Sequence, residues 1–93
     1  MNFKKIEKQE IVNLHFHPFD VLENERSKKE RDNKLLKAAI LGNIEKEKCK
    51  IVFCAKEGWN CVETTVWAVT DEYVCLKGGI SLLIASISEV ILL

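Results

Sequence analysis

This chain of 93 residues lacks a net charge, a long apolar segment and a recognisable leader sequence. Its 14 basic residues are matched by 14 acidic ones, so no overall field draws it toward nucleic acid or a membrane. Four charged residues occupy positions 4–8, where a signal peptide would need apolar residues. The apolar stretch 80–93 is too short for a membrane helix and is interrupted by three serines and Glu89. We therefore expect a cytoplasmic protein that has no membrane partner.

The signatures of common enzymes are also missing. The sequence has no paired carboxylates, no phosphate-binding glycine loop and no G-x-S-x-G motif. No two of its four cysteines have C-x-x-C spacing, and all four fall in predicted strands rather than at a helix N-terminus or in a basic pocket. Without a secretion signal, free and half-buried thiols are expected rather than disulfides. The sequence therefore predicts no enzyme, no catalytic residue and no cofactor.

His15 and His17 form the only histidine pair. On a strand the two rings would share one face, as two metal ligands must. A metal site needs one or two more ligands, which Asp20 or a cysteine could supply only if the fold brought them to the two rings. We therefore expect two ordinary surface imidazoles and no metal site.

Ninety-three residues are enough for one domain with one core. Residues 1–26 are interpreted as an N-terminal extension, either partly mobile or holding one short strand in the weakly alternating segment 9–16. Residues 23–37 mix charges of both signs, which indicates a solvated helix entry or a mobile linker. The basic residues there share a predicted solvated face: Lys28, Lys29, Arg31 and Lys34.

Residues 27–93 are predicted to fold as a short helix followed by a small sheet. The helix is clearest over 33–41, where Leu35, Leu36, Ala39 and Ile40 fall on one apolar stripe that must lie on the sheet or on a partner subunit. Gly42-Asn43 supplies a stop signal at its end. Alternation and turn residues predict five strands, over 48–56, 59–70, 73–77, 80–85 and 90–93. The last two strands are separated by a short polar break, which suits a sharp corner in a small closed sheet. The expected fold is mainly β with a short N-terminal helix, a five-stranded and strongly bent barrel of SH3-like or Sm-like type.

The fourth and fifth predicted strands are apolar on both faces and contain neither Lys nor Pro, the residues that usually protect an exposed edge. A neighbouring copy of the chain is the simplest cover for them. We therefore expect a homo-oligomer. Its predicted interface residues are Leu82, Leu83, Ile84, Val90, Ile91 and Leu92.

Two short segments resemble the Sm-like (LSm) family, particularly its bacterial RNA-chaperone branch. Residues 71–76 (DEYVCL) are similar to the family segment in which Asp precedes an aromatic residue and an apolar strand. Residues 87–90 (ISEV) are similar to the Ile-Ser-x-Val of the second Sm motif. The resemblance implies a ring of identical subunits that binds single-stranded RNA. It also places Tyr73 where the family stacks a base, with Glu72 beside it.

The sequence departs from the family at the rest of the pocket. Ile84 and Ala85 stand where the bacterial branch has a Lys-His pair. Lys77, the only basic residue after Lys56, is the third residue predicted to bind a ligand, beside Tyr73 and Glu72. An alternative therefore stays open, in which an SH3-like module binds a protein partner and no nucleic acid. An aromatic residue near a turn favours this alternative, since Trp59 could serve as an interaction anchor. Trp67 lies in the middle of a predicted strand and is expected to pack in the core or a subunit interface.

Overall fold

The computed structural model describes residues 3–93. They form one α-helix, two 3₁₀ helices and seven strands. In chain order these are β1 (Lys4–Lys5), a first 3₁₀ helix (Lys8–Asn13), α1 (Glu25–Ile44), β2 (Cys49–Ala55), β3 (Gly58–Thr64), β4 (Val66–Val69), β5 (Tyr73–Leu76), β6 (Ile80–Leu83), a second 3₁₀ helix (Ile84–Ser86) and β7 (Ile87–Leu92). The expectation of a mainly β domain with one α-helix before its main strands is confirmed.

The strands form two sheets, one in the order β1-β3-β2-β7 and the other in the order β4-β5-β6. The segment predicted as one strand over 59–70 is interrupted at Thr65, whose carbonyl accepts a hydrogen bond from the Lys77 N–H at 2.9 Å. The chain therefore passes from the first sheet to the second at this residue. The strand count is seven instead of five, and the described residues form two sheets rather than a closed barrel.

The apolar residues of both sheets meet in one core, in which Phe53, Leu35 and Leu82 are fully buried. Two other elements complete its wall. The helix α1 packs against β4 and β7, and the first 3₁₀ helix packs against β6 and β3. Each of them therefore bridges the two sheets, on opposite sides of the core.

The helix α1 is 20 residues long, and the prediction of a short helix over 33–41 was wrong at both ends. It begins earlier because the Asn24 side chain accepts hydrogen bonds from the N–H groups of Arg26 and Ser27, at 2.8 and 3.2 Å. It continues beyond Gly42, which was predicted to end it, because the lack of a side chain at this residue lets the helix lie directly against β4. Within residues 3–93, no helix has both the length and the apolar character needed to cross a membrane.

The N-terminal segment, defined here as residues 3–22, is part of the fold. The strand predicted over 9–16 was wrong, because Lys8–Asn13 form a 3₁₀ helix whose Ile11 side chain is only 2% exposed. The short strand β1 instead pairs in parallel with β3. Further along, the ring of Phe16 packs on that of Phe53, with centroids 6.2 Å apart. The segment thus contributes apolar side chains to the core.

Candidate functional site

Tyr73, the predicted stacking residue, begins β5 with its side chain 44% exposed. Its backbone is fixed by Thr70. The Thr70 hydroxyl oxygen accepts a hydrogen bond from the Tyr73 N–H at 3.0 Å, and the Thr70 N–H donates to the Tyr73 carbonyl at 2.8 Å. An exposed ring on a backbone held in this way can receive a flat ligand at little cost in ordering.

The side chains that share the outward face of the sheet with Tyr73 are uncharged. Along β5 the side chains alternate, so Val74 is buried while Tyr73 and Cys75 face outward. Leu83 lies directly opposite Tyr73 on β6, Ser81 lies opposite Cys75, and Ala68 of β4 lies on the other side of Cys75. We call this surface the β5–β6 platform: Ala68, Tyr73, Cys75, Ser81 and Leu83. It is suited to flat or apolar groups and has no cation of its own.

The other two residues predicted for ligand binding do not join Tyr73 in one pocket. Glu72 is beside it in the preceding turn, where its backbone carbonyl accepts the Ile84 N–H at 2.9 Å. Lys77 follows β5 at the opposite end, four residues from Tyr73, or about 13 Å along an extended strand. The exposed Lys77 ammonium can therefore contact only a ligand that extends along the platform.

A cavity of about 360 Å³ opens beside the platform, between the N-terminal segment and the end of β6. Ile84 and Ala85, which the predicted resemblance aligns with a Lys-His pair, line it. Four carboxylate residues also line it: Asp20, Asp32, Asp71 and Glu72. The sequence showed that neither Lys nor His stands at positions 84 and 85, but it did not show that acidic residues from three different segments meet there.

The one cation in the cavity wall, Arg31, already has partners. Its guanidinium donates two hydrogen bonds to the Asp20 carboxylate, at 2.8 and 3.0 Å, one to Asp32 at 3.0 Å and one to the Ile87 carbonyl at 3.1 Å. Burial is the largest single influence on the pKa of Asp20 and raises it, but the hydrogen bonds from Arg31 and the Leu22 N–H, together with the positive charges of Arg31 and Lys28, hold that pKa below its usual value. The prediction that Arg31 belongs to a solvated face was wrong, because its side chain is 5% exposed.

The two histidines have different partners. His15 Nδ1 lies 2.6 Å from a Glu57 carboxylate oxygen, whereas the His17 ring stacks on Phe19 with centroids 4.9 Å apart. Between residues 3 and 93, no group of three His, Cys, Asp or Glu side chains could hold a metal ion.

All four cysteines are free, and burial raises the pKa of the Cys49 thiol to about 11, which keeps it protonated at neutral pH.

The predicted interface residues divide into two groups. Leu82, Ile84 and Val90 are buried in the core of the chain itself. Leu83 and Leu92 are partly buried, and Ile91 is exposed. Contacts to a neighbour through β6 and β7 would therefore depend on backbone hydrogen bonds and on the outward side chains of the second group.

Part of the apolar stripe predicted on α1 is exposed. Leu36, Ile40 and Ile44 are each more than half exposed and follow one another at intervals of four residues. The prediction placed Leu36 and Ile40 on one stripe with Leu35, which is fully buried. Trp67, predicted to pack in the core or an interface, is 45% exposed on β4, the strand against which α1 packs.

No family model matches the sequence, and no curated protein or solved structure matches it either. The arguments for a function therefore come from the geometry of the platform, the cavity and the sheet edges.

Proposed function

We propose that the chain is a non-catalytic binding module of Sm-like type that associates with copies of itself through β6 and β7. The order of elements supports the proposal. The passage between two sheets at Thr65, the β5–β6 hairpin and the 3₁₀ helix before β7 agree with the strongly bent sheet and the strand–break–strand ending predicted from the sequence. In that family, the strands equivalent to β6 and β7 pair between neighbouring subunits.

The observation that carries the proposal is that β6 and β7 are both edge strands. β6 pairs only with β5, and β7 pairs only with β2, within residues 3–93. An exposed edge is a template for pairing with another chain unless Lys, Pro or a bulge blocks it. No Lys, Arg or Pro occurs after Lys77. The register of β7 against β2 shifts near the start of β7, where Val52 pairs with Glu89 and Phe53 with Ile87, so Ser88 forms a bulge there. Beyond this bulge, β7 and the unpaired edge of β6 are available to each other in different copies.

The register of the hairpin identifies the groups that would pair. Because the Ile84 N–H donates to the Glu72 carbonyl, alternation of the antiparallel ladder turns the N–H and carbonyl of Ser81 away from β5. The side chain of Ser81 is exposed as well. Its backbone is thus the centre of the open β6 edge.

The first prediction tests this edge. The wild-type chain should show an average mass above that of the 10.7 kDa monomer in sedimentation equilibrium, increasing toward about 1 mM protein. Ser81→Pro should lower the association constant at least about tenfold, because proline removes the outward N–H but leaves the β5–β6 pairing intact. Ser81→Ala keeps that N–H and is the matched control. A wild-type chain that remains monomeric at every concentration would contradict the proposal.

For the ligand, we propose single-stranded RNA, with Tyr73 as the stacking residue and no cofactor. The supporting observation is the exposed ring on an uncharged platform, since stacking on an aromatic side chain tolerates any base. Lys77, at the far end of the platform, is placed to contact the backbone of a strand that runs along β5.

The second prediction concerns this ring. Tyr73→Ala should weaken the binding of a short single-stranded RNA by about 1–3 kcal/mol for each stacked base. Tyr73→Phe retains the ring and should bind as the wild type does. Titrations should be run at low and moderate salt, and thermal melts of both variants establish that the fold is kept. A lower melting temperature with unchanged affinity would assign Tyr73 to packing instead.

One observation favours a second candidate, an SH3-like module that binds a protein partner. The carboxylates of Asp32, Asp71 and Glu72 line the cavity beside the platform, and they repel a polyanion. A basic segment of another protein would be attracted there. No RNA binding even at low salt, where phosphate contacts are strongest, would favour this candidate over RNA.

A further inference from the structure

We propose that the N-terminal segment is an intramolecular cover for the edge of β6, and that a second copy of the chain displaces it when the chains associate. This inference rests on the proposed self-association. It adds a regulatory step to self-association, because the β6 edge would be shielded in the isolated chain.

The cover passes both ends of β6. The first 3₁₀ helix contacts β6 and also β3 of the other sheet, which places it on the flank of β6 that β5 does not occupy. At the hairpin, a Cβ on Gly78 would lie 3.5 Å from Lys8 Cε. Just beyond β6, the Val21 N–H donates to the Ala85 carbonyl at 2.9 Å.

The cover shields the strand without pairing with it. Among the described residues, no backbone hydrogen bond joins residues 8–13 to residues 80–83. The outward backbone groups of Ser81 therefore gain no partner from the N-terminal segment. A strand from a second copy would supply those hydrogen bonds, so an exchange of cover for strand is favoured as the protein concentration increases.

Two kinds of contact hold the cover in place. Ile11 inserts into the core, and the exposed pair of His15 and Glu57 ties the middle of the segment to the β2–β3 turn. The end of the segment is held separately, because Asp20 is bound to Arg31 of α1. The part that packs beside β6 can thus be loosened without freeing the whole segment.

The experiment compares full-length variants by sedimentation velocity. Ile11→Ala weakens the cover and should increase the association constant about tenfold, since the constant scales with the fraction of chains whose edge is free. Glu57→Gln weakens the second contact from outside the core and should increase it about threefold. Val12→Ala is the matched control, because Val12 is 71% exposed, and should associate like the wild type. Adding Ser81→Pro to Ile11→Ala should abolish the gain, which separates edge pairing from non-specific aggregation.

The outcomes separate the two proposals. A wild type that associates with the same constant as Ile11→Ala overturns the cover and leaves self-association standing. A wild type that is monomeric at about 1 mM contradicts self-association itself. If Ile11→Ala lacks a cooperative thermal transition, Glu57→Gln decides, and an unchanged constant in that variant overturns the cover.

Discussion

Arg31→Met is expected to lower the free energy of unfolding by about 3 kcal/mol or more, as the loss of one partner from a buried ion pair does. The guanidinium links Asp20, Asp32 and the Ile87 carbonyl, so it joins the N-terminal segment, α1 and β7. Without it, the Asp20 carboxylate stays only 21% exposed and loses its counter-charge. Urea denaturation at neutral pH measures the effect.

The matched control is Arg26→Met on the same helix. The Arg26 side chain is 88% exposed and its ion pair with Glu30 spans 3.5 Å, so its loss should change the free energy of unfolding by less than about 1 kcal/mol. Equal effects of the two substitutions would show that Arg31 is not the structural link described above.

Gly42→Ala is expected to destabilise the fold by about 2 kcal/mol, although alanine is the better helix former. An added Cβ would overlap the Val66 carbonyl oxygen and would lie 2.9 Å from Thr65 Cγ2. The first of these atoms belongs to the backbone, so α1 or β4 must shift, and overpacking of this kind typically costs 1–3 kcal/mol or more. The gain of about 1 kcal/mol in helix propensity does not offset a shift of that size.

Lys37→Ala, at an exposed position of the same helix, is the control and should change the free energy of unfolding by less than about 0.5 kcal/mol. Thermal or urea unfolding of both variants gives the comparison. A Gly42→Ala chain as stable as the wild type would mean that α1 can move away from β4 without loss.

Two strands could be predicted from the sequence with nearly the observed boundaries, because alternation and turn residues mark them. The last two predicted strands, over 80–85 and 90–93, were misplaced, because β6 ends at Leu83 and β7 begins at Ile87, on either side of a 3₁₀ helix. Predicted strands over 48–56 and 73–77 correspond to β2 (Cys49–Ala55) and β5 (Tyr73–Leu76). The break at Thr65 could not be predicted, because Thr and the neighbouring Val66 both favour strands and nothing local marks the passage between sheets.

The boundaries of the helix were mispredicted for a different reason. Its first two turns are charged, and a pattern of apolar residues cannot identify a buried face that includes Arg31. Gly42 was interpreted as a helix stop because glycine has that local role most often, whereas here its small size is needed for contact with Val66. In both cases a tertiary contact decided what the local sequence left ambiguous.

At the candidate site, the sequence pointed to Tyr73 and to the absence of Lys and His at positions 84 and 85. It did not show which residues lie around them. The platform depends on the pairing of β5 with β6, and the acidic cavity depends on residues 17–20 returning to the end of β6. Neither arrangement has a local signature. The covered β6 edge was out of reach for the same reason, since the segment that covers it was predicted as a strand or a mobile extension.

Amide hydrogen exchange at Ser81, measured by NMR over a range of protein concentrations, tests self-association through β6 most directly. In the isolated chain this N–H has no backbone partner within residues 3–93, whereas the N–H of the adjacent Leu82 is turned toward β5. We predict that the protection of Ser81 increases with protein concentration, in step with the sedimentation mass, while that of Leu82 changes little. An unchanged Ser81 exchange rate in samples whose mass has increased would contradict association through this edge.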